Sequence, residues 1–463
     1  MAPGPAWSFK SKDGERIASE KPLAFRRCNP VKNSAMRYSP IDPILFTENR
    51  ARLKALMEPG ALAVVNANDI LPTNADGTIR LIQNADLFYL TGVDQEETIL
   101  VLFPGAADEK HREILFLRET SELIATWEGR KLTKEEAQKR TGIKEVRWLN
   151  EFPQLFRSLM CECSGAYLNS NEHKRAGVEV ETRDARFIRE TQARFPLHRY
   201  LRLAPLMHRL RIIKSAHEVE MIRKACALTE RGFRRVAKFT QPGVSETEIE
   251  AELAHEFIRG GGKFAYEPII ASGPNACVLH YLDNDARCKK GQLLLLDVAA
   301  SYGNYNSDLT RTIPVSGKFS RRQKDVYLAV LRVLRGTIKN AVPGKLPKDW
   351  QKEAEVLMQE ELLALGLLKK SDVKKQDPDK PALKKYFMHG VGHPIGLDVH
   401  DVGIMSEPMQ EGWVLTVEPG IYLKEEGFAV RLEDCILVTD RGPVNLMESI
   451  PIEPEEIEKL MAR

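Results

Sequence analysis

Two stretches of the chain, about one hundred residues apart, carry the same succession of elements, and this internal repeat limits the fold more than any other feature. In the first, residues 215–238 (SAHEVEMIRKACALTERGFRRVAK) have the apolar spacing of a long helix, which breaks at Gln241-Pro242-Gly243. Ser245 and Glu248 then make a capping-box pair, predicting a second helix that runs to Arg259. In the second, residues 321–341 are helical in pattern, Pro343-Gly344 interrupts them, and 350–365 return to helix. Strand-like segments follow each helix pair: GQLLLLDVAA and DLTRTIPVSG after one, EGWVLTVEPGIYL and VRLEDCILV after the other. Two such units call for a mixed α/β (α+β) body with pseudo-two-fold symmetry.

The chain ahead of the repeat reads differently. Residues 1–37 are rich in Pro, Lys and Ser without clear periodicity and stand as an N-terminal extension. From Tyr38, a short helix at 47–57 leads to the strand ALAVVNA and the turn-rich LPTNADGT. The β-rich runs QNADLFYLTG, TILVLFP and HREILFLRE then alternate with helical stretches at 133–141 and 150–159. This predicts a small α/β domain over 38–205, followed by the repeated domain over 206–463. A chain of 463 residues has room for both.

Composition excludes several classes. With 43% hydrophobic and 29% charged residues, the chain as a whole is neither disordered nor a coiled coil. The balance of 68 Lys+Arg against 65 Asp+Glu gives no electrostatic reason to expect a nucleic acid or a membrane surface as partner. Apolar runs are strand-length, and the first forty residues lack the pattern of a secretory signal. Seven cysteines (Cys28, Cys161, Cys163, Cys226, Cys277, Cys288 and Cys435) are an odd, scattered set. One residue between Cys161 and Cys163 is too few for a zinc knuckle, so all seven are read as reduced thiols of a cytoplasmic protein.

The chemistry lies in acidic residues where strands seldom bury them. Asp297 directly follows Leu293 to Leu296, and a carboxylate at the end of such a run is costly unless a cation or donors offset its desolvation. Asp308 comes eleven residues later, beyond the turn-like YGNYNS, so the two can face each other across a hairpin. Glu418 follows the apolar strand 413–417, and Glu433 sits within VRLEDCILV. One shared cause accounts for all four: a pair of divalent cations. Between the acidic strands lies MHGVGHPIGLDVHDVG, with His389, His393 and His400 among glycines that allow close backbone approach. Oxygen-rich ligation with one or two imidazoles suits manganese, cobalt or iron better than a structural zinc site. Other signatures fail. His217-Glu218 and His255-Glu256 open like HExxH but end in Met221 and Arg259, and no GxSxG, GxGxxG or Walker loop occurs. The seven lysines between Lys369 and Lys385 read as a solvated loop bordering the His segment.

The set LLLLDVAASYGNYNSDLTRTIPVSG, MHGVGHPIGLDVHDVG, VLTVEPGIY and VRLEDCILV resembles the proline-specific metallopeptidases of the pita-bread fold, the aminopeptidase P and prolidase group. The likeness covers residues 214–450, and QNADLFYLTG and TILVLFPG extend it to the N-terminal domain of aminopeptidase P. The resemblance implies an N-terminal α/β domain followed by a pita-bread domain. It implies Asp297 on one metal, Asp308 and Glu433 bridging, and His393 with Glu418 on the other. It further implies a pocket-lining role for His280, substrate contacts for His389 and His400, and an orienting role for Arg431 beside the ligand carboxylates. Glu418 is the expected general base. The implied cofactor is two divalent ions, manganese first, with Co²⁺, Fe²⁺ or Zn²⁺ as alternatives. The implied substrate is a peptide with proline second, and the implied assembly a homodimer or homotetramer.

Within this group the alternative is a dipeptide-only prolidase, which needs a basic group for the substrate's free carboxylate. Residues 401–417 (DVGIMSEPMQEGWVLTV) contain no Arg or Lys, which favours an Xaa-Pro aminopeptidase. The large N-terminal domain counts against methionine aminopeptidase. The intact ligand set counts against both the metal-free binding modules and the creatinase-like hydrolases of this fold.

Overall fold

The computed structural model describes residues 38–462 apart from Val178; the extension 1–37, with Cys28, lies outside the described residues. Strand Ala61–Asn66 is buried along its whole length because helices cover both faces of its sheet. Ala61, Ala63 and Val65 join one apolar cluster, with Leu53, Leu87 and Leu90, while Leu62 and Val64 join another, with Phe152, Phe156 and Leu159. Six strands make this sheet, in the order Glu145–Trp148, Glu113–Leu117, Ile99–Leu102, Ala61–Asn66, Gly165–Leu168, Tyr200–Arg202. The three strands Ala61–Asn66, Ile99–Leu102 and Glu113–Leu117 pair antiparallel; the flanking pairs are parallel.

The run QNADLFYLTG, expected among the β-rich segments, instead forms helix Ala85–Thr91. Asn84 caps it by accepting from the amides of Asp86 and Leu87, and Gly92 ends it at φ 64°. Seven residues are too few to display a helical period, and caps alone mark the element. The first helix begins at Pro43, before the expected 47, because Asp42 caps it and proline suits its first turn.

The repeat is real. Helix Ala216–Phe239 turns at Gly243, φ +98°, into Glu246–Arg259, and helix Arg321–Lys339 turns at Gly344, φ +84°, into Pro347–Ala364. The expected capping box at Ser245 forms, and the structure adds a second one at Ser215 with Glu218. Strand Leu293–Asp297 pairs antiparallel with Ile269–Ser272 and with Thr310–Pro314, placing Thr310 opposite Asp297. In the second half, Val414–Val417 pairs with Asp434–Leu437, and Gly420–Leu423 with Phe428–Arg431. The halves meet at Thr310 and Glu433, whose backbones bridge, and at Arg311, which donates to the Glu433 carbonyl (2.7 Å) and to Asp434 (2.6 Å).

The lysine-rich segment is not a plain loop: it forms the short helix Lys370–Lys375 and a 3₁₀ turn at Ala382–Lys385. Lys384 pairs with Glu355 at 2.7 Å, so local ion pairs organise it. No helix among the described residues is long and apolar enough to cross a membrane.

One close approach sets the His segment against the second-half sheet. A Cβ on Gly392 would stand 2.0 Å from the Thr416 carbonyl oxygen, in the middle of a buried strand. Gly392→Ala is therefore expected to destabilise the protein by about 3 kcal/mol, read as a lowered Tm. Activity should fall further than stability, since His393 follows directly. An unchanged Tm would contradict this packing.

Candidate metal centre

Each acidic residue stands at or within two residues of the end of a buried strand. Asp297 ends a strand of four buried leucines, and Asp308 stands just before Thr310–Pro314. The backbone of Asp308 rests on Cys435, with the Cys435 sulfur 3.3 Å from both its amide and its carbonyl oxygen. Glu433 Oε2 accepts from the Thr310 hydroxyl at 2.7 Å. Asp308, His393 and Glu433 are all buried and offer ligand atoms within 4.8 Å of one another. His393 Nε2 lies 3.5 Å from Asp308 and 3.9 Å from Glu418. Asp297 joins the group through Tyr266, whose hydroxyl is 2.6 Å from a carboxylate oxygen of Asp297 and of Asp308.

Two details show that this donor set fits divalent cations. His393 Nδ1 is 2.9 Å from the Pro394 carbonyl, an acceptor only, so its proton sits there and the Nε2 lone pair faces the carboxylates. A lone pair aimed at anions is repulsive unless a cation lies between them. Likewise a single Tyr266 proton cannot satisfy two carboxylates at once. Burial and mutual charge push Asp308, Glu418 and Glu433 well above the usual carboxylate range, which is the signature of acids needing a proton or a metal.

Arg431 organises the surroundings. It is buried and donates to Asp297 (2.6 Å), to the Tyr422 hydroxyl (2.8 Å) and to Thr310 (3.2 Å). Tyr422 lies 2.9 Å from His389 Nε2, while His389 Nδ1 faces the Gly390 carbonyl (2.7 Å) and Glu418 (3.7 Å). With Arg431 donating to Tyr422, the phenol donates on to His389, whose other nitrogen holds its proton. His400 packs edge-on against His393, ring centroids 4.3 Å apart, and Arg175 approaches both of its ring nitrogens at 3.3 Å. His280 is exposed and contacts none of these groups directly; its influence on His389 and His400 is electrostatic. Burial, the first cause in each case, lowers His389 to about 4, His393 to about 3 and His400 to about 4; Arg431, His400 and Arg175 respectively add to it.

All the residues expected from the sequence lie in this region, but the sequence did not announce Tyr266, Tyr422, Thr310 or Arg175. Nor did it announce Arg211, which is buried and pairs with Asp86 (2.8 Å), Asp398 (2.7 Å) and Asp401. Lys214 reaches Asp401 at 3.0 Å. These pairs tie the segment carrying His400 to helix Ala85–Thr91. The signal available was the charged pair Arg211 and Lys214 in the otherwise apolar LRIIK, too common to single out.

The raised carboxylates give a pH dependence of definite sign. Asp308, Glu418 and Glu433 bind protons more tightly folded than unfolded, so their contribution to stability falls as pH rises above about 4.3 toward their folded values. The histidines shift the other way and are neutral in both states above about pH 7, so they do not interfere there. Metal-stripped protein is expected to lose Tm as pH rises above neutrality, and saturating Mn²⁺ to raise Tm and lessen that slope. A stripped Tm that stays level over this range and ignores the ion would contradict the centre.

Comparison with known proteins agrees with this geometry. The description "Metallopeptidase family M24" matches residues 220–440, and "Aminopeptidase P, N-terminal domain" matches 46–167. An Xaa-Pro aminopeptidase of Haemophilus influenzae is 34% identical over 429 residues, 90% of this chain and 96% of that protein. A solved structure described as a putative aminopeptidase P from Bacillus anthracis superposes with a TM-score of 0.85 at 33% identity, covering 91% of this chain and 98% of its own. Zinc-substituted aminopeptidase P of Escherichia coli, in complex with product, superposes with a TM-score of 0.81 at 33% identity, covering 91% and 99%. With relatives this similar along nearly its whole length, the chain belongs to metallopeptidase family M24, in the branch that carries an aminopeptidase P N-terminal domain ahead of a pita-bread domain.

Proposed function

We propose that the chain is a metal-dependent Xaa-Pro aminopeptidase, releasing the first residue from peptides whose second residue is proline. The observation that carries the reading is the cluster of Asp308, His393 and Glu433 with Asp297 and Glu418 beside it, in a chain 34% identical to an Xaa-Pro aminopeptidase. In this reading Asp297, Asp308, His393, Glu418 and Glu433 hold two divalent ions, manganese in preference to cobalt, iron or zinc. The bound pair supplies Lewis-acid polarisation of the scissile carbonyl and a water that is nucleophilic at neutral pH.

The chain's own groups do the rest. Glu418, in contact range of His389 and His393, takes the proton of the attacking water and passes it to the leaving proline nitrogen. Neutral His400 offers an N–H donor to substrate oxygen, His389 contacts the substrate beside it, and exposed His280 lines the approach. Arg431 orients Asp297 through its fork. Asp297 also gives the substrate's terminal amine an anionic partner. A bond before proline has no N–H to grip, so recognition through the carbonyl, the amine and the ring replaces it. We divide the chain into the domains 38–205 and 206–463 and place it in the cytoplasm as a homodimer or homotetramer. The six described cysteines are all unpaired, in keeping with a reducing compartment.

Peptides of three or more residues with proline second should be cut between residues one and two. Acetylating the amine should abolish turnover, whereas C-terminal amidation should change kcat/KM by less than about tenfold. Replacing the proline with alanine should cost more than roughly a hundredfold, because the ring's contacts are lost. An Xaa-Pro dipeptide turned over about a hundredfold better than its tripeptide counterpart would establish a prolidase instead.

A further inference from the structure

Beside His400 the structure opens into a cavity of about 690 Å³, walled by residues of the segments 68–86 and 169–184. Its wall is one side chain from the metal centre, since His400 lines the cavity and also packs against His393. One wall is a small lobe in which Pro72 bridges Thr78 and the amide of Ile79 bonds to the Leu71 carbonyl at 2.8 Å. Leu71, Ile79, Ile82 and Val180 all line this cavity, yet remain 49%, 50%, 69% and 70% exposed. Single exposed apolar side chains need no explanation, but four converging on one concavity mark a surface meant to be covered.

We infer that this cavity is a subsite for the downstream part of the peptide, taking apolar residues from about the fourth position onward as the chain leaves the centre past His400. The inference rests on the proposed exopeptidase reading. In that reading only one residue lies before the scissile bond, and a volume within the roughly 300–1,000 Å³ that holds a whole drug-sized ligand is far more than one residue fills. The downstream side is the only part of the substrate long enough to occupy it. Continuity through His400 puts the cavity on that path, and the apolar rim sets its preference. Such contacts act remotely from the reacting bond and hold the peptide more tightly.

The test compares Ala-Pro-Gly with Ala-Pro-Gly-Leu-Phe-Val and Ala-Pro-Gly-Ser-Ser-Ser, on wild type and on Ile82→Ser/Val180→Ser. Both positions are exposed, so the fold should tolerate the change. The apolar hexapeptide should exceed the tripeptide by about tenfold in kcat/KM, through KM, while the serine hexapeptide gains nothing. The double variant should lose that advantage and cut the tripeptide as wild type does. Calorimetric titration with the N-acetylated apolar hexapeptide, which is not turned over, should show binding weakened about tenfold by the variant. Equal turnover of all three peptides, or a variant that slows tripeptide and hexapeptide alike, would overturn the subsite. If the tripeptide is not cut but the variant still weakens the acetylated peptide, the exopeptidase reading fails and the peptide-binding cavity stands.

Discussion

Mutual repulsion among buried carboxylates is the constraint around which the repeated domain is arranged. Asp308 and Glu433 are almost fully buried and share a small volume with His393. Arg431 offsets one charge, at Asp297, and Thr310 and Tyr266 each contribute a hydroxyl. These groups do not neutralise four acids. What remains is a concentration of negative charge in a region of low dielectric, stable with protons or with divalent cations and poorly stable with neither.

The pseudo-symmetric fold is what makes such a concentration feasible. Each half holds its acids at or beside the ends of buried strands: Asp297 ends Leu293–Asp297, Asp308 stands two residues before Thr310–Pro314, Glu418 directly follows Val414–Val417, and Glu433 lies between Phe428–Arg431 and Asp434–Leu437. The halves are fastened at the same place, by the bridge between Thr310 and Glu433 and by the donation of Arg311 to Glu433 and Asp434. The interface that joins the repeat therefore also sets the distance between its acids. The His segment is positioned separately, by Gly392 against Thr416 on one side and by Arg211 and Lys214 through Asp401 on the other.

The elements with strong local signals were legible in the sequence. The capping box at Ser245 named one helix start, and four leucines before Asp297 named a buried strand ending in an acid. Helix Ala85–Thr91 was not legible as a helix, because seven residues cannot show periodicity and its caps, Asn84 and Gly92, look like turn residues. Tyr266 and Tyr422 were silent for another reason. Tyrosine is an ordinary strand and core residue, and what distinguishes these two is contact with residues 31 and 42, or 9 and 33, positions away, which only the fold supplies. The cavity rim was equally hidden, since Ile79 and Val180 lie a hundred residues apart and neither belongs to a helix or strand.

The central claim, that the acids are arranged for two cations, is tested most directly by metal stoichiometry. Chelator-stripped protein titrated with Mn²⁺ and analysed for bound metal should hold two ions per chain. Asp308→Ala and Glu433→Ala, which the proposed assignment makes shared ligands, should lose both, whereas Asp297→Ala should mainly weaken one. Wild-type protein that saturates at one ion or none would contradict the account.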